Sequence, residues 1–132
     1  VDCDIFAPTA LGAIINDETL ESLKCDVIAG AANNQLKAPE KHGKLLEEKA
    51  MIYAPDYVIN GGGVINVGEE FAANGYDPDV AKSKVETIYD KIKRVFEISK
   101  RDNIPSYKAA DVMAEERINK IAKLNSILKP KK

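Results

Sequence analysis

Three short stretches bring together residue types that could hold a small ligand: Ala7-Pro8-Thr9-Ala10-Leu11-Gly12, Ala29-Gly30-Ala31-Ala32-Asn33-Asn34-Gln35 and Asn60-Gly61-Gly62-Gly63-Val64-Ile65-Asn66. Small side chains let backbone approach a ligand closely, and carboxamides supply donors and acceptors without charge. Any one of these stretches reads more readily as a tight strand-to-helix turn; three on one sheet edge shift the balance toward a binding site. The third is the most informative. A triple glycine ahead of a helix leaves backbone N–H groups at the positive helix end, which suits an anion such as a carboxylate. Asn60 can donate its side-chain amide to the same anion. Val64 and Val67, three residues apart, share a helix face and could wall a small aliphatic side chain. Unaided, each valine reads as ordinary core.

Other chemistry is missing. No GxGxxG or Walker spacing occurs, so no complete phosphate-binding loop is present. His42, the single histidine, is followed by Gly43 in a charged stretch and reads as solvated or capping, and no metal site is expected. No acid or lysine falls inside the three loops, and only Lys37 borders them, so no catalytic proton-transfer pair is expected in this segment.

The loops follow short apolar runs. Asp4-Ile5-Phe6-Ala7 stops at Pro8, Asp26-Val27-Ile28-Ala29 stops at Gly30, and Met51-Ile52-Tyr53-Ala54-Pro55 leads on to Tyr57-Val58-Ile59. Their β-branched and aromatic content and flanking breakers favour strands. The runs are continuous rather than alternating, as expected for a parallel sheet covered on both faces. Between them, Asn16-Asp17-Glu18-Thr19 opens a helix with a capping side chain and early acids. A second helix is expected over roughly Lys41 to Lys49, with Leu45 and Leu46 inward. Strand and helix alternate as in βαβ units, so the fold class is α/β, a partial doubly wound, Rossmann-like parallel sheet. In such sheets ligands bind beyond the carboxyl ends of the strands, where the three loops lie.

After Tyr76 the pattern changes to two long helices. Asp77-Pro78 starts the first, and Ala81, Val85, Ile88, Ile92, Val95 and Ser99 form one stripe at helical spacing. Asn103-Ile104-Pro105 breaks it, and a second helix is expected from Ser106 to Leu124, carrying Ala110, Met113, Ile118 and Ile121.

With 45% apolar and 30% charged residues in a chain of 132, the composition is that of one globular domain. The net charge of −2 is interleaved along the chain, so neither nucleic acid nor a membrane surface is an expected partner. Cys3 and Cys25 are too far apart for a metal knuckle and suit a reduced, cytoplasmic protein. Lys129-Pro130-Lys131-Lys132 reads as a solvated tail. The chain opens on Val1 at the start of a strand, so it is expected to begin within a longer protein.

The stretch from Asp4 to Asn16, the stretch from Val27 to Leu36 and Tyr53-Ala54-Pro55-Asp56-Tyr57-Val58-Ile59-Asn60-Gly61-Gly62-Gly63-Val64-Ile65-Asn66-Val67 resemble the glutamate/leucine/phenylalanine/valine dehydrogenases. Ile98-Ser99-Lys100-Arg101-Asp102 and the stretch from Ala109 to Ile118 resemble the same family. The resemblance implies that residues 1–76 are the second half of an NAD-binding domain. Residues 77–132 are then its closing helices, the last of which could reach a separate catalytic domain. It also implies oxidative deamination of an L-amino acid by an intact homo-oligomeric enzyme, with this segment inactive alone. Ala7, Pro8, Thr9, Ala10, Ala32 and Asn33 would frame the nicotinamide side of NAD, and Asn60 would touch both cofactor and amino acid. Val64 and Val67 match the side-chain pocket, which favours leucine, valine and isoleucine over glutamate, with phenylalanine-specific members as competitors. A stand-alone binding or assembly domain without activity is the rival of a different class. Thr9 stands where many members have Cys, Gly61 and Gly68 replace common alanines, and Glu69 replaces a common Asp. The segment Ala72-Ala73-Asn74-Gly75 looks lengthened.

Overall fold

The computed structural model describes residues 2–128, so Val1 and the basic tail read above as solvated lie outside the described residues. Three two-residue strands, β1 (Ile5–Phe6), β2 (Val27–Ile28) and β3 (Ile52–Tyr53), form a sheet in the order β1-β2-β3. All pairing is parallel, with Ile5, Val27 and Ile52 in one row and Phe6, Ile28 and Tyr53 in the next. Helices α1 (Asp17–Ser22) and α2 (Pro39–Glu48) form the crossovers. The expected βαβ order is present.

One face of the sheet is covered. Ile28 and Tyr53 are buried, Phe6 packs against them, and Leu20 of α1 and Leu46 of α2 close over the same side. The other row is open: Ile5 is 59% and Ile52 50% exposed. The expectation of two covered faces is therefore corrected. Continuous apolar runs describe what both faces of a strand can tolerate, but only the face receiving the crossover helices is buried among the described residues.

Local signals account for most boundaries. Asn16 and Thr19 form a reciprocal capping box at the start of α1. Pro39 in the first turn starts α2 two residues before the expected Lys41, because proline loses nothing where an N–H has no helical partner. Gly43 sits inside α2 where a Cβ would stand 2.3 Å from the ring of Tyr107, so a glycine is needed for that packing. Tyr57-Val58-Ile59, expected to extend the third apolar run, lies in a short helix α3 (Asp56–Ile59). Pro55 followed by an acid is a helix-opening signal, and it overrides the β-branched composition. Helix α4 (Gly62–Glu69) follows at once.

Asp77 caps α5 (Pro78–Asp102), which ends at Asn103 in the left-handed conformation, φ 52°. Helix α6 (Ser106–Leu128) continues beyond the expected Leu124. Val95 and Ile98 of α5 pack against Ala109 and Ala110 of α6 and form a second small core with Val58. The Ser106 hydroxyl donates to the Tyr53 carbonyl at 2.6 Å, which ties the start of α6 to the end of β3. Farther along α6, Ile118 and Ile121 are exposed. No helix among the described residues is long and apolar enough to cross a membrane.

Candidate functional site

The three loops meet at the carboxyl ends of the strands. The Ala32 N–H donates to the Pro8 carbonyl at 2.9 Å, and the Ala13 N–H to the Asn34 carbonyl at 2.7 Å. A Cβ on Gly30 would stand 2.1 Å from the Pro8 oxygen, so this close approach of two backbones requires glycine. Ile15 then pairs with Leu36 as an isolated parallel bridge, which locks the first two loops a second time. Gln35 is fully buried, and its Nε2 donates to the carbonyls of Gly30 at 2.8 Å and Ala32 at 2.9 Å. This side chain pins its own loop from beneath.

The third loop joins through side chains. Asn60 Nδ2 donates to Asn33 Oδ1 at 2.5 Å. Asp56 is buried, with Oδ2 accepting the Asn34 N–H at 2.7 Å and Oδ1 accepting the Tyr53 hydroxyl at 2.7 Å. Burial, followed by the Asp56 carboxylate, pushes the Tyr53 hydroxyl well above the usual tyrosine range, so it stays protonated and donates. Burial and Asp111 raise Tyr57 in the same way; its hydroxyl lies 2.8 Å from the Tyr107 carbonyl and 3.1 Å from Asp111.

A cleft of about 910 Å³ opens beside this edge, lined among others by Asn33, Asp56, Asn60, Val64, Ile88 and Met113. Its walls come from α3, α4, α5 and α6, so apolar side chains surround a few fixed polar groups. Helix α4 has Gly61 as its N-cap, which supplies no side-chain cap, and a Cβ on Gly63 would meet nothing within 4 Å. The glycines at 61–63 thus answer to no steric demand from the described residues beyond ordinary contact.

Of the residues singled out from the sequence, Pro8, Ala32, Asn33 and Asn60 come together through the bonds above. Ala7, Thr9 and Ala10 are exposed along the first loop. Val64 lines the cleft next to Asn60 and is 79% exposed overall; Val67, 52% exposed, lies one turn on, outside the lining. His42 is buried rather than solvated: its Nδ1 accepts the Ala38 N–H at 2.9 Å, so of the two expected roles the capping one holds. Sequence reasoning passed over Asp56, Tyr53 and Gln35. The signal for Asp56 was available in Pro55-Asp56, an acid at a helix start, but nothing local shows that its oxygens reach the second loop.

Residues 1–125 match the model of the Glutamate/Leucine/Phenylalanine/Valine dehydrogenase family. This chain belongs to that family. It is 68% identical over 126 residues to the leucine dehydrogenase of Thermoactinomyces intermedius, covering 96% of this chain and 34% of that protein. A phenylalanine dehydrogenase from Caldalkalibacillus thermarum is 42% identical over 132 residues, covering 98% of this chain and 34% of the relative. Among solved structures, the L-tryptophan dehydrogenase of Nostoc punctiforme superposes with a TM-score of 0.88 at 46% identity, covering 93% of this chain and 36% of that one. The α/β family fold is therefore shared, and the chain spans about a third of the length of the curated relatives it matches.

Proposed function

We propose that this chain is part of an NAD-dependent amino acid dehydrogenase that oxidatively deaminates L-leucine and other branched-chain amino acids to 2-oxo acids and ammonia. The observation that carries the reading is the hydrogen bond from the Asn60 side-chain amide to that of Asn33, beside Val64 on the rim of the cleft. It couples a loop suited to the cofactor with a helix end suited to the substrate. The 68% identity to a leucine dehydrogenase supports the same choice.

The donor set suits the nicotinamide end of the cofactor. Thr9, Asn33 and Asn60 offer uncharged donors and acceptors, as a carboxamide requires, and the exposed Ala7 and Ala10 leave the edge open to a flat ring. Held by these residues, NAD would supply a hydride acceptor for oxidation at the substrate's α-carbon. The chain's own contribution is binding and orientation. Asn60 Oδ1 receives no hydrogen bond among the described residues, so it can accept from the substrate amino group. The free end of α4 favours the carboxylate, and Val64 meets the side chain. Asp56 is assigned no proton transfer in this reading; its oxygens accept from the Asn34 N–H and the Tyr53 hydroxyl. On this reading the 132-residue chain alone does not reduce NAD with leucine.

The test is kcat/KM for leucine, valine and phenylalanine in Val64→Ala and Asn60→Ala variants of the full-length protein. Enlarging an apolar pocket shifts discrimination by roughly 1–3 kcal/mol per methylene. Val64→Ala should therefore raise phenylalanine relative to leucine, whereas Asn60→Ala should weaken all three alike. Equal scaling of all substrates by Val64→Ala would refute the pocket. Turnover by the isolated chain above a blank would refute its inactivity.

A further inference from the structure

Asp56 has no part in binding or chemistry as proposed above, yet three of its atoms hold the site's two halves together. Its Oδ2 accepts the N–H of Asn34, the residue after Asn33, at 2.7 Å. Its Oδ1 accepts the Tyr53 hydroxyl at 2.7 Å, from the last residue of β3. Its backbone carbonyl accepts the Asn60 N–H at 2.9 Å, one helical turn away. Asn34 sits at φ 52°, the left-handed region, and its N–H is delivered to the carboxylate in that conformation. Asp56 is the first residue inside α3, one past the cap position held by Pro55, and its side chain makes no bond to its own helix end. The oxygens of Asp56 are aimed instead at the second loop and at the strand end.

From these links we infer that Asp56 is a positioning residue: it sets the separation of the Asn33 and Asn60 side chains, and with it the spacing between cofactor loop and substrate asparagine. The inference rests on the reading of Asn33 and Asn60 given above. Its physical basis is the fixed geometry of a buried carboxylate that accepts two short hydrogen bonds. An amide of the same shape turns one acceptor into a donor; the Tyr53 hydroxyl can turn to accept from it, but the negative charge that strengthens the Asn34 N–H contact is lost, and that neighbour loosens. The Asn33 side chain moves with its neighbour, while Asn60 stays at the C-terminal cap of α3.

A double-mutant cycle in the full-length enzyme tests this, with kcat and KM for leucine and NAD measured in Asp56→Asn, Asn60→Ala and the double variant. Misplacing reacting groups by a fraction of an ångström to about 1 Å costs up to about 100-fold. Asp56→Asn alone should thus lower kcat/KM by about 10–100-fold, mostly in kcat. In the Asn60→Ala background, where that geometry is already gone, the further loss should be under about threefold. A purely structural Asp56 would multiply its loss onto that of Asn60→Ala, and full multiplicativity overturns the positioning role alone. If Asn60→Ala leaves kcat/KM unchanged, the assignment of Asn60 falls first and the positioning role falls with it. Should Asp56→Asn lose its circular dichroism signature, Tyr53→Phe replaces it in the cycle. That variant removes one donor and keeps the carboxylate, so it should show the same non-additivity at about a 3–10-fold loss, and additive behaviour again overturns the role.

Discussion

The strand-end edge and the exposed side of α4 border the same cleft, but they are built in opposite ways. At the edge each loop is bonded to the next: Ala32 to Pro8, Ala13 to Asn34, Asn34 to Asp56 and Asn60 to Asn33. On α4 and the turn after it, Val64, Val67 and Phe71 are 79%, 52% and 85% exposed, in a row at helical spacing. A helix that buries its carboxylate and exposes its valines is held by its polar side; Glu69 is buried and pairs with Lys84 of α5. The edge closes its polar contacts within the described residues, whereas the apolar face of α4 is left uncovered by them. Contiguous exposed apolar surface of this kind marks a ligand or partner surface.

The comparison breaks most directly at the residue beneath the edge. Ile28 is fully buried under the second loop, so Ile28→Ala should destabilise by about 3–4 kcal/mol, the usual range for a large core truncation. Val67→Ala should stay within about 0.5 kcal/mol, as exposed substitutions do. Chemical denaturation of the full-length protein measures both. Similar midpoint shifts for the two would mean that α4 is no open face.

Glycines sharpen the same contrast at smaller amplitude. Gly30→Ala drives a methyl group into the Pro8 backbone and should cost about 1–3 kcal/mol, the range for overpacking. Gly63→Ala meets nothing and lies inside a helix, so it should be neutral or stabilising by up to about 1 kcal/mol. Gly63→Ala in the intact enzyme should nonetheless weaken leucine binding if backbone there approaches the substrate; an unchanged KM would argue that the open space belongs to solvent.

The smallest effect concerns the far wall of the cleft, where Glu40 of α2 meets Lys108 at 2.8 Å and the Tyr107 hydroxyl at 3.0 Å. The hydrogen bonds from Lys108 and then Tyr107 hold the Glu40 carboxyl below its ordinary 4.5. A depressed carboxylate stabilises the fold fully above its unfolded value and loses that contribution as pH falls through the lower folded value. The difference in Tm between the wild type and Glu40→Gln should therefore be constant from neutral pH to about 5 and shrink toward zero in more acid solution. The group is exposed, so added salt should reduce the difference throughout. A difference that grows on acidification would remove Glu40 from the contacts holding α2 to α6.

Much of this architecture is legible in local signals. Three runs closed by Pro8, Gly30 and Pro55, alternating with the Asn16 box and the Pro39 helix, specify parallel order, since each crossover is long enough to return the chain. The α5 stripe and the Asn103 break likewise mark where the long helices start and stop. Reading failed where a local preference met a competitor. At Tyr57-Val58-Ile59, β-branched composition lost to a helix start at Pro55-Asp56. At His42, the sequence left a solvated or a capping role open, and only the fold decided for the second, with Nδ1 turned back to the backbone of Ala38.

What the sequence determined by itself was the class of fold, the order of its elements and the position of three loops at the carboxyl ends of the strands. Caps, breakers and apolar periodicity act within a few residues and can be read along a line. What only the tertiary structure decided was which loop atoms meet and which faces stay open. The Asp56–Asn34 bond spans 22 positions and Asn60–Asn33 spans 27, and no local preference encodes either contact. The open row of Ile5 and Ile52 has the same origin: the residues on both strand faces are apolar, and burial went to the side on which the crossover helices packed.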